Sequence, residues 1–280
     1  MARTLSITTA DRTSLLNGNL TNFLKGAENV GISVALVLRQ VDSREIDSLK
    51  GFSCIVKLFF SENAPASVIR NFALTNLGVQ FLDSYDFIAF LDDDCIPTMG
   101  LRNLKHISMD SLIAIGAYGP SAETLASRFQ TDNKATLGYE YLINRSTNCT
   151  MYFRPSILKK LGPFYEGIGA GIKIFKTGED TDMCHRYLKL GASFEIDNSI
   201  LVIHPYKQLA RMESISGDLL VSLSHLIFKR KSLFKSSKTI LRFVLIRIAN
   251  LNDPNLPNFS TIVTEVRNMR IFLEQHFNPQ

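Results

Sequence analysis

Three consecutive carboxylates, Asp92, Asp93 and Asp94, directly follow a run of apolar residues and constrain the fold more than any other feature of the chain. The run covers residues 85–91 and predicts a buried strand, and Pro97 prevents regular pairing from continuing. Like charges at a strand end repel one another unless a cation or hydrogen-bond donors compensate them. In open α/β sheets such strand ends face the ligand crevice. The triplet therefore predicts either a divalent metal site that holds a diphosphate or a solvated acidic turn.

Strand and helix patterns alternate along most of the chain. Apolar, β-branched runs predict strands, and helically spaced apolar residues between them predict helices. The predicted strands are 4–9, 32–38, 54–60, 85–91, 112–118, 148–153, 194–196 and 200–203, and the predicted helices are 15–24, 67–77, 155–161 and 183–190. This alternation indicates an α/β protein with a mostly parallel sheet flanked by helices. Beyond residue 205 the sequence predicts helices alone.

The composition is that of a soluble globular protein, with 45% hydrophobic and 20% charged residues. A chain of 280 residues can form one large domain or one domain with an appendage. No apolar stretch reaches the roughly 18 residues that a membrane span needs. The four cysteines, Cys54, Cys95, Cys149 and Cys184, lack metal-ligand spacing. We therefore predict free thiols in a reducing compartment.

A second acidic cluster, Glu179 and Asp180, follows a glycine-rich loop. The cluster stands at a predicted helix start, where the helix dipole stabilises carboxylates, so an acidic first turn without a catalytic role is the alternative. His204 ends a later predicted strand and, taken alone, would be an ordinary surface or core histidine. Because it follows both acidic clusters, we interpret it as a metal ligand, since neutral imidazole completes oxygen-rich sites for divalent ions.

Five motifs occur in an order that is typical of one enzyme family. They are Thr8-Thr9-Ala10-Asp11-Arg12, Ile69-Arg70-Asn71-Phe72-Ala73-Leu74, Phe90-Leu91-Asp92-Asp93-Asp94-Cys95-Ile96-Pro97, Leu161-Gly162-Pro163-Phe164 with Gly178-Glu179-Asp180-Thr181-Asp182-Met183-Cys184-His185-Arg186, and Val202-Ile203-His204-Pro205. Over residues 4–205 the chain resembles a family 2 glycosyltransferase of the GT-A fold. The motifs are similar to that family's opening Pro-Thr-Tyr-Asn-Arg, its Ala-Arg-Asn helix, its Asp-x-Asp strand end, its Gly-Glu-Asp-x-Asp helix and its terminal Val-x-His-Pro.

The resemblance implies an inverting, nucleotide-sugar-dependent enzyme with a Rossmann-like nucleotide-binding half and an acceptor half. It implies that Asp94, Asp92 and His204 hold Mn²⁺ or Mg²⁺. It also implies that Asp180 is the general base, with Glu179 beside it, although Glu179, Asp180 and Asp182 all stay open as candidates. The nucleotide-sugar-binding residues that it implies are Thr9, Asp11, Arg12, Asp42, Arg70, Asn71, Asp92 and Asp93.

The chain departs from the family pattern after its second predicted strand. The family has Asp-Asp-Gly-Ser there, whereas this strand runs into Arg39-Gln40-Val41-Asp42-Ser43, so that only Asp42 and Ser43 correspond. Pro65 also stands where a glycine is usual, and Thr8 replaces the opening proline.

The expected function is transfer of a sugar, with inversion, from a nucleotide-diphosphate donor to a glycan or lipid-linked acceptor, in surface polysaccharide or glycoconjugate biosynthesis. One alternative is a sugar-phosphate nucleotidyltransferase, which would show a glycine-rich, basic signature that residues 8–16 lack. The other is a catalytically inactive carbohydrate-binding protein of the same fold. Retention of both acidic clusters and of His204 argues against that alternative.

The net charge of +5 is unevenly distributed. Residues 205–250 contain nine basic and two acidic side chains, so their net charge is +7 and that of the rest of the chain is −2. Within them, residues 226–248 carry seven basic and no acidic side chains among large apolar ones. Such a segment suits a helix on an anionic bilayer or a helical cap packed on the catalytic domain. Nucleic acid is not an expected partner, because aromatic platforms are not clearly interleaved.

The sequence thus predicts two parts and a location. Residues 1–205 form the predicted GT-A glycosyltransferase domain, and residues 206–280 form a helical, basic C-terminal extension. The predicted location is cytoplasmic, with peripheral docking on the inner membrane leaflet if the extension binds lipid.

Overall fold

The computed structural model describes residues 2–41, 46–119, 147–204, 220–221, 224 and 259–277. The chain divides into two compact units. The first contains residues 1–64, 69–160 and 192–206, and the second contains residues 65–68, 161–191 and 207–280.

One mixed sheet of eight strands organises the first unit. The strands are β1 (Thr4–Asp11), β2 (Ser33–Arg39), β3 (Ile55–Ser61), β4 (Phe87–Ala89), β5 (Ile96–Pro97), β6 (Ile113–Gly119), β7 (Met151–Phe153) and β8 (Phe194–Ile203). Their order across the sheet is β3-β2-β1-β4-β7-β6-β8-β5. The strands β1 to β4 pair in parallel, so their carboxyl ends meet at one edge of the sheet.

Antiparallel pairing enters the sheet at β7. This strand lies between β4 and β6 and is antiparallel to both. Strand β8 then runs parallel to β6, and β5 pairs antiparallel with the end of β8. The sheet is therefore parallel on one side and mixed on the other.

Six α-helices and three 3₁₀ helices whose bounds lie within the described residues accompany the strands. The α-helices are α1 (Arg12–Leu16), α2 (Asn19–Val30), α3 (Ala66–Leu82), α4 (Pro155–Leu161), α5 (Glu179–Lys189) and α6 (Phe259–His276), and the 3₁₀ helices are Asp47–Leu49, Met99–His106 and Asn148–Thr150. Helix α3 is interrupted at Gly78, whose φ of 74° lies outside the helical region.

The core of the first unit forms between α2 and the sheet. The helix buries one apolar face, at the spacing that an amphipathic helix requires: Leu20, Phe23, Leu24, Ala27 and Val30. These residues belong to the same core as the buried face of β2, which alternates along the strand at Val34, Leu36 and Leu38. Burial on this face fixes the register of β2 next to β1.

Helix α6 supplies much of the core of the second unit. Its buried residues recur every three or four positions: Ile262, Val266, Met269 and Leu273, followed by Phe277. They share a core with Tyr165, Ile168 and Phe175 of the segment that precedes α5. The apolar stripe of α6 thus holds this segment in place.

Most of the predicted elements are present, with five differences. The helix predicted over 15–24 is two helices, α1 and α2, because Gly18 separates them with a φ of 82°. Pro97 was predicted to prevent pairing but pairs with Val202 in β5, at the edge of the sheet, where its missing N–H is tolerated. The strand predicted over 85–91 pairs only over Phe87–Ala89. Residues 148–150 form a 3₁₀ helix instead of a strand start, because Thr147 and Thr150 cap this turn and compete with strand pairing. The strands predicted at 194–196 and 200–203 are one continuous strand, β8.

None of the helices in the described part of the chain is long and apolar enough to cross a membrane. The basic segment 226–248 lies outside the described residues. The division into 1–205 and 206–280 stays a prediction, since most of the second range also lies outside them.

Candidate functional site

The acidic triplet lies in a turn just beyond the end of β4. Phe90 and Leu91 are buried, and the chain then turns so that the backbone N–H of Cys95 donates to the carbonyl oxygen of Asp92 at 3.0 Å. Asp94 is buried, whereas the side chain of Asp92 is 40% exposed. One carboxylate of the triplet therefore faces solvent while another is enclosed by protein.

Strand register brings His204 to this turn. Ile96 pairs with Ile203 where β5 meets the end of β8, so the residues that flank this pair, including Asp94 and His204, come close together. The Nε2 atom of His204 lies 3.4 Å from Oδ1 of Asp94 and 3.8 Å from Oδ2 of Asp92.

One potential ligand atom from each of Asp92, Asp94 and His204 lies within 4.8 Å of the other two. Two carboxylates and one imidazole are donors that suit a hard or borderline divalent ion such as Mg²⁺ or Mn²⁺. The structure thus brings together the three predicted metal ligands, and their role as ligands stays a prediction.

Arg70, in the second turn of α3, points at the same carboxylate. Its Nη2 lies 3.3 Å from Oδ1 of Asp92, and the arginine is buried. Partial desolvation by the surrounding protein would by itself raise the pKa of Asp92, but the hydrogen bond with His204 and the charge of Arg70 outweigh it and hold this pKa below the ordinary value of a carboxyl. Asp92 is therefore ionised at neutral pH and available to a cation.

The pKa of Asp93 shifts in the opposite direction to that of Asp92. Burial, together with the nearby carboxylates of Asp94, Asp92 and Asp11, raises the pKa of Asp93 to about 6, against an opposing hydrogen bond with Ser14. Close packing of four acidic side chains thus makes one of them harder to ionise. A cation near Asp93 would reverse that effect.

The end of β1 contributes residues that were predicted to bind the nucleotide sugar. Asp11 caps α1, because its Oδ1 accepts from the backbone N–H of Ser14 at 2.9 Å, and its Oδ2 lies 3.6 Å from Nη2 of Arg39. Thr9 is half-buried in β1, and Arg12 is exposed. The first role of Asp11 is therefore local, since it begins a helix next to the acidic turn.

Of two further residues that were predicted to bind the nucleotide sugar, the structure describes only Asn71. Asn71 follows Arg70 in α3 and is half-buried. Asp42 lies outside the described residues. The structure therefore leaves its proposed contact with the nucleotide untested.

Two buried thiols adjoin the acidic turn, an arrangement that the sequence did not predict. Cys95 Sγ donates to Cys149 Sγ at 3.2 Å, and Cys149 Sγ donates to Oδ2 of Asp92 at 3.4 Å. The hydrogen bond with Cys95 and burial raise the pKa of Cys149 well above its ordinary value. All four cysteines are free and buried, which agrees with the predicted free thiols. Only the position of Cys95 beside the triplet could have indicated a thiol at this site.

In the second unit, the second acidic cluster begins α5. Gly178 precedes the helix with a φ of 107°, a conformation that favours glycine. Glu179 is buried and Asp180 is half-buried in the first turn. Gly169 packs on Glu179 so closely that a Cβ there would lie 2.8 Å from the Glu179 carboxyl group. The absence of a side chain at Gly169 therefore helps to position Glu179.

Asp182, the third candidate base, has a structural partner on the same helix. Its Oδ2 lies 2.6 Å from Nη2 of Arg186, one turn further along α5, and both side chains are buried. Nη1 of Arg186 also donates to the carbonyl oxygens of Leu161 and Pro163. Asp182 thus balances the charge of an arginine that holds the 161–163 segment against the helix.

No protein-family model matches the sequence, and no curated protein matches it. Solved structures do resemble the fold. S. aureus TarS aligns with a TM-score of 0.54 at 12% identity, over 88% of this chain and 43% of TarS. The chain therefore spans less than half of that protein.

Two further solved structures carry relevant ligands. The mannosyltransferase PcManGT from Pyrobaculum calidifontis, in complex with GDP-Man and Mn²⁺, aligns with a TM-score of 0.54 at 12% identity, over 98% of this chain and 75% of that one. Residues 1–349 of S. aureus TarS in complex with UDP-GlcNAc align with a TM-score of 0.53 at 12% identity, over 89% and 74% of the two chains. These likenesses confirm the predicted GT-A type of fold, a mixed eight-stranded sheet flanked by helices.

Proposed function

We propose that this chain is a glycosyltransferase that uses a nucleotide-diphosphate sugar as its donor. The observation that carries the proposal is the convergence of Asp92, Asp94 and His204 at the carboxyl end of β4, with their ligand atoms within 4.8 Å of one another. A similar fold holds GDP-Man and Mn²⁺ in one solved structure and UDP-GlcNAc in another, which supports the same ligand class here.

The divalent ion in this proposal is Mn²⁺ or Mg²⁺. When bound, such an ion offsets the negative charge that develops on the departing nucleoside diphosphate. Asp92, Asp94 and His204 would hold it. Arg70 keeps Asp92 ionised and oriented through their contact of 3.3 Å, and it supplies a second positive charge beside the diphosphate.

The nucleotide sugar itself would contact residues of the first unit. Following the family resemblance, the proposed set is Thr9, Asp11, Arg12, Asp42, Arg70, Asn71, Asp92 and Asp93. Within this set, Asp11 also has a structural role, because its carboxylate caps the start of α1.

Asp180 is the proposed general base. In a single displacement, the acceptor hydroxyl oxygen forms a bond to the anomeric carbon as the bond from that carbon to the diphosphate oxygen breaks. The acceptor proton moves to Asp180, and the anomeric configuration inverts. The ion pair of Asp182 with Arg186 makes Asp182 a poor proton acceptor. Glu179 is more buried than Asp180 and packs on Gly169, which suits a supporting role on the acceptor side.

The acceptor is proposed to be a glycan or a lipid-linked sugar, in polysaccharide or glycoconjugate biosynthesis. The seven basic residues in 226–248 support a lipid-linked acceptor, because they would attract an anionic bilayer surface. In this proposal the enzyme is cytoplasmic and docks on the inner leaflet. A helical cap formed by the same segment is the alternative.

The decisive experiment incubates the purified chain with a panel of nucleotide sugars and Mn²⁺ and identifies the products. A glycosyltransferase releases a nucleoside diphosphate by transfer or slow hydrolysis. A nucleotidyltransferase instead forms a nucleoside triphosphate and a sugar 1-phosphate when pyrophosphate is added. An inactive carbohydrate-binding protein releases neither product, and that result with every donor tested would refute the proposal.

A further inference from the structure

Two sets of candidate ligands overlap at His204. One is the oxygen-rich set of Asp92 and Asp94, and the other consists of the thiols of Cys95 and Cys149, whose sulfur atoms also lie within 4.8 Å of one another and of a His204 ring nitrogen. We propose that Cys95, Cys149 and His204 form a second site, specific for soft divalent ions of the Zn²⁺ class, and that its occupation excludes the hard ion from the first site.

Chemical softness separates the two sets. Thiolates prefer Zn²⁺ and similar soft or borderline ions, whereas carboxylates prefer Mg²⁺ and Mn²⁺. Two thiolates would balance the charge of a divalent ion, which matters because both cysteines are buried. His204 provides the third, nitrogen donor, and three protein ligands with one open position are a common arrangement for zinc.

Distances favour a metal over a disulfide. The two sulfur atoms are 3.2 Å apart. Tetrahedral coordination with Zn–S bonds of about 2.3 Å separates two sulfurs by about 3.8 Å, so the pair would open by roughly 0.6 Å. A disulfide requires about 2.05 Å, so the pair would close by more than 1 Å. The smaller rearrangement leads to the metal site.

Local hydrogen bonds hold both cysteines in position. The backbone N–H of Cys95 donates to the carbonyl oxygen of Asp92 at 3.0 Å, in the acidic turn. Cys149 lies in the 3₁₀ helix Asn148–Thr150. The backbone N–H of Thr147, the residue before this helix, donates to Oγ1 of Thr150 at 2.9 Å. The hydroxyl of Tyr152 donates to the carbonyl oxygen of Cys149 at 3.4 Å. The backbone of each thiol is therefore fixed before any ion arrives.

Binding has a simple proton balance. One divalent ion replaces the two thiol protons, which leave to solvent, while the imidazole binds through a neutral nitrogen. Cys149 then no longer donates to Asp92, and His204 is no longer available to Asp94. The first site loses one ligand and one supporting hydrogen bond, so the two ions compete. This competition rests on the proposed function, whereas binding of the soft ion does not.

The test is a titration of the full chain with Cd²⁺ in a phosphine reductant, followed by the ultraviolet thiolate-to-cadmium charge-transfer band. We expect one Cd²⁺ per chain with a band from two thiolates. C95S and C149S should each lose at least half of the band, and His204→Gln should weaken Cd²⁺ binding about tenfold or more with both thiols intact. The matched controls are Cys54→Ser, which removes a buried thiol of the same unit, and Cys184→Ser.

Circular dichroism of every variant establishes that it is folded. A band that is absent from the wild type, that keeps its full intensity in C149S, or that forms with unchanged Cd²⁺ affinity in His204→Gln, would overturn the inference. A second measurement adds Zn²⁺ to the Mn²⁺-loaded enzyme, where transfer should fall in the wild type and in Cys54→Ser. If no transfer is ever detected but the band behaves as expected, the proposed function fails and the soft-ion site stands.

Discussion

The carboxylate of Asp182 lies 2.6 Å from Nη2 of Arg186 in a buried ion pair on α5. The two residues are four apart, so they face the same side of the helix. The arginine also binds the carbonyl oxygens of Leu161 and Pro163 and therefore links the helix start to the preceding segment. Among the three neighbouring acids, Asp182 consequently serves stability, and Asp180 is left as the better candidate for chemistry.

Asp182→Asn should strongly destabilise the protein. The change leaves Arg186 buried with an uncompensated charge, and removing one partner of such a pair costs about 3–5 kcal/mol. Chemical denaturation measures the loss. The control is Asp47→Asn, which breaks the exposed pair with Lys50 and should cost no more than about 1 kcal/mol. Equal, small losses in both variants would show that the buried pair is not structural.

Asp180→Asn should preserve the fold and slow turnover. The amide keeps the shape of the side chain but cannot accept the acceptor proton, and general-base catalysis supplies about 10²–10⁴-fold. We expect turnover to fall by that factor while nucleotide-sugar binding, measured by calorimetry, stays nearly unchanged. If binding falls as steeply as turnover, Asp180 contacts the donor and Glu179 becomes the candidate base.

Gly169→Ala should disturb Glu179. Gly169 has a φ of 108°, so an alanine there adds backbone strain of about 1–3 kcal/mol. Its Cβ would lie 2.8 Å from the Glu179 carboxyl group and would displace that carboxylate. We expect lower stability and lower turnover. Gly191→Ala is the matched control, because its φ is 62° and the space around a Cβ is open. It should lose about 1 kcal/mol of stability and keep its turnover. Equal turnover in the two variants would exclude a role for this packing.

Binding to lipid should depend on charge. The seven basic side chains of 226–248 are each worth on the order of 1 kcal/mol near an anionic surface. The protein should therefore sediment with anionic liposomes at low salt, less so as salt rises, and little with neutral ones. Negligible sedimentation with both lipid types would favour a packed helical cap instead.

Much of the fold could be predicted because its patterns are local. The β-branched run of β2 and the apolar stripe of α2 each identify their element without reference to the rest of the chain. The proximity of Asp94 to His204 could be predicted from motif order, since the acidic turn follows β4 and His204 follows β8, and these two strands run in the same direction. Their role as metal ligands stays a prediction.

The thiol pair could not be predicted in the same way. Cys149 reaches Asp92 only because β7 inserts antiparallel between β4 and β6, a pairing of segments that are distant in sequence. Nothing local in residues 147–153 indicates that neighbour. The spacing of Asp182 and Arg186 was visible in the sequence, but the burial that makes the pair important depends on the packing of the second unit.

The most direct test of the proposed metal-dependent glycosyl transfer compares the wild type with Asp94→Asn in a donor-release assay, in excess chelator and after Mn²⁺ is restored. A bound ion contributes several kcal/mol of transition-state stabilisation, which corresponds to a loss on the order of 10²–10³-fold. We predict that chelation abolishes release of the nucleoside diphosphate by the wild type, that Mn²⁺ restores it, and that Asp94→Asn stays low in both conditions. Full activity of the wild type in chelator, or of Asp94→Asn with Mn²⁺, would contradict a metal site built from Asp92, Asp94 and His204.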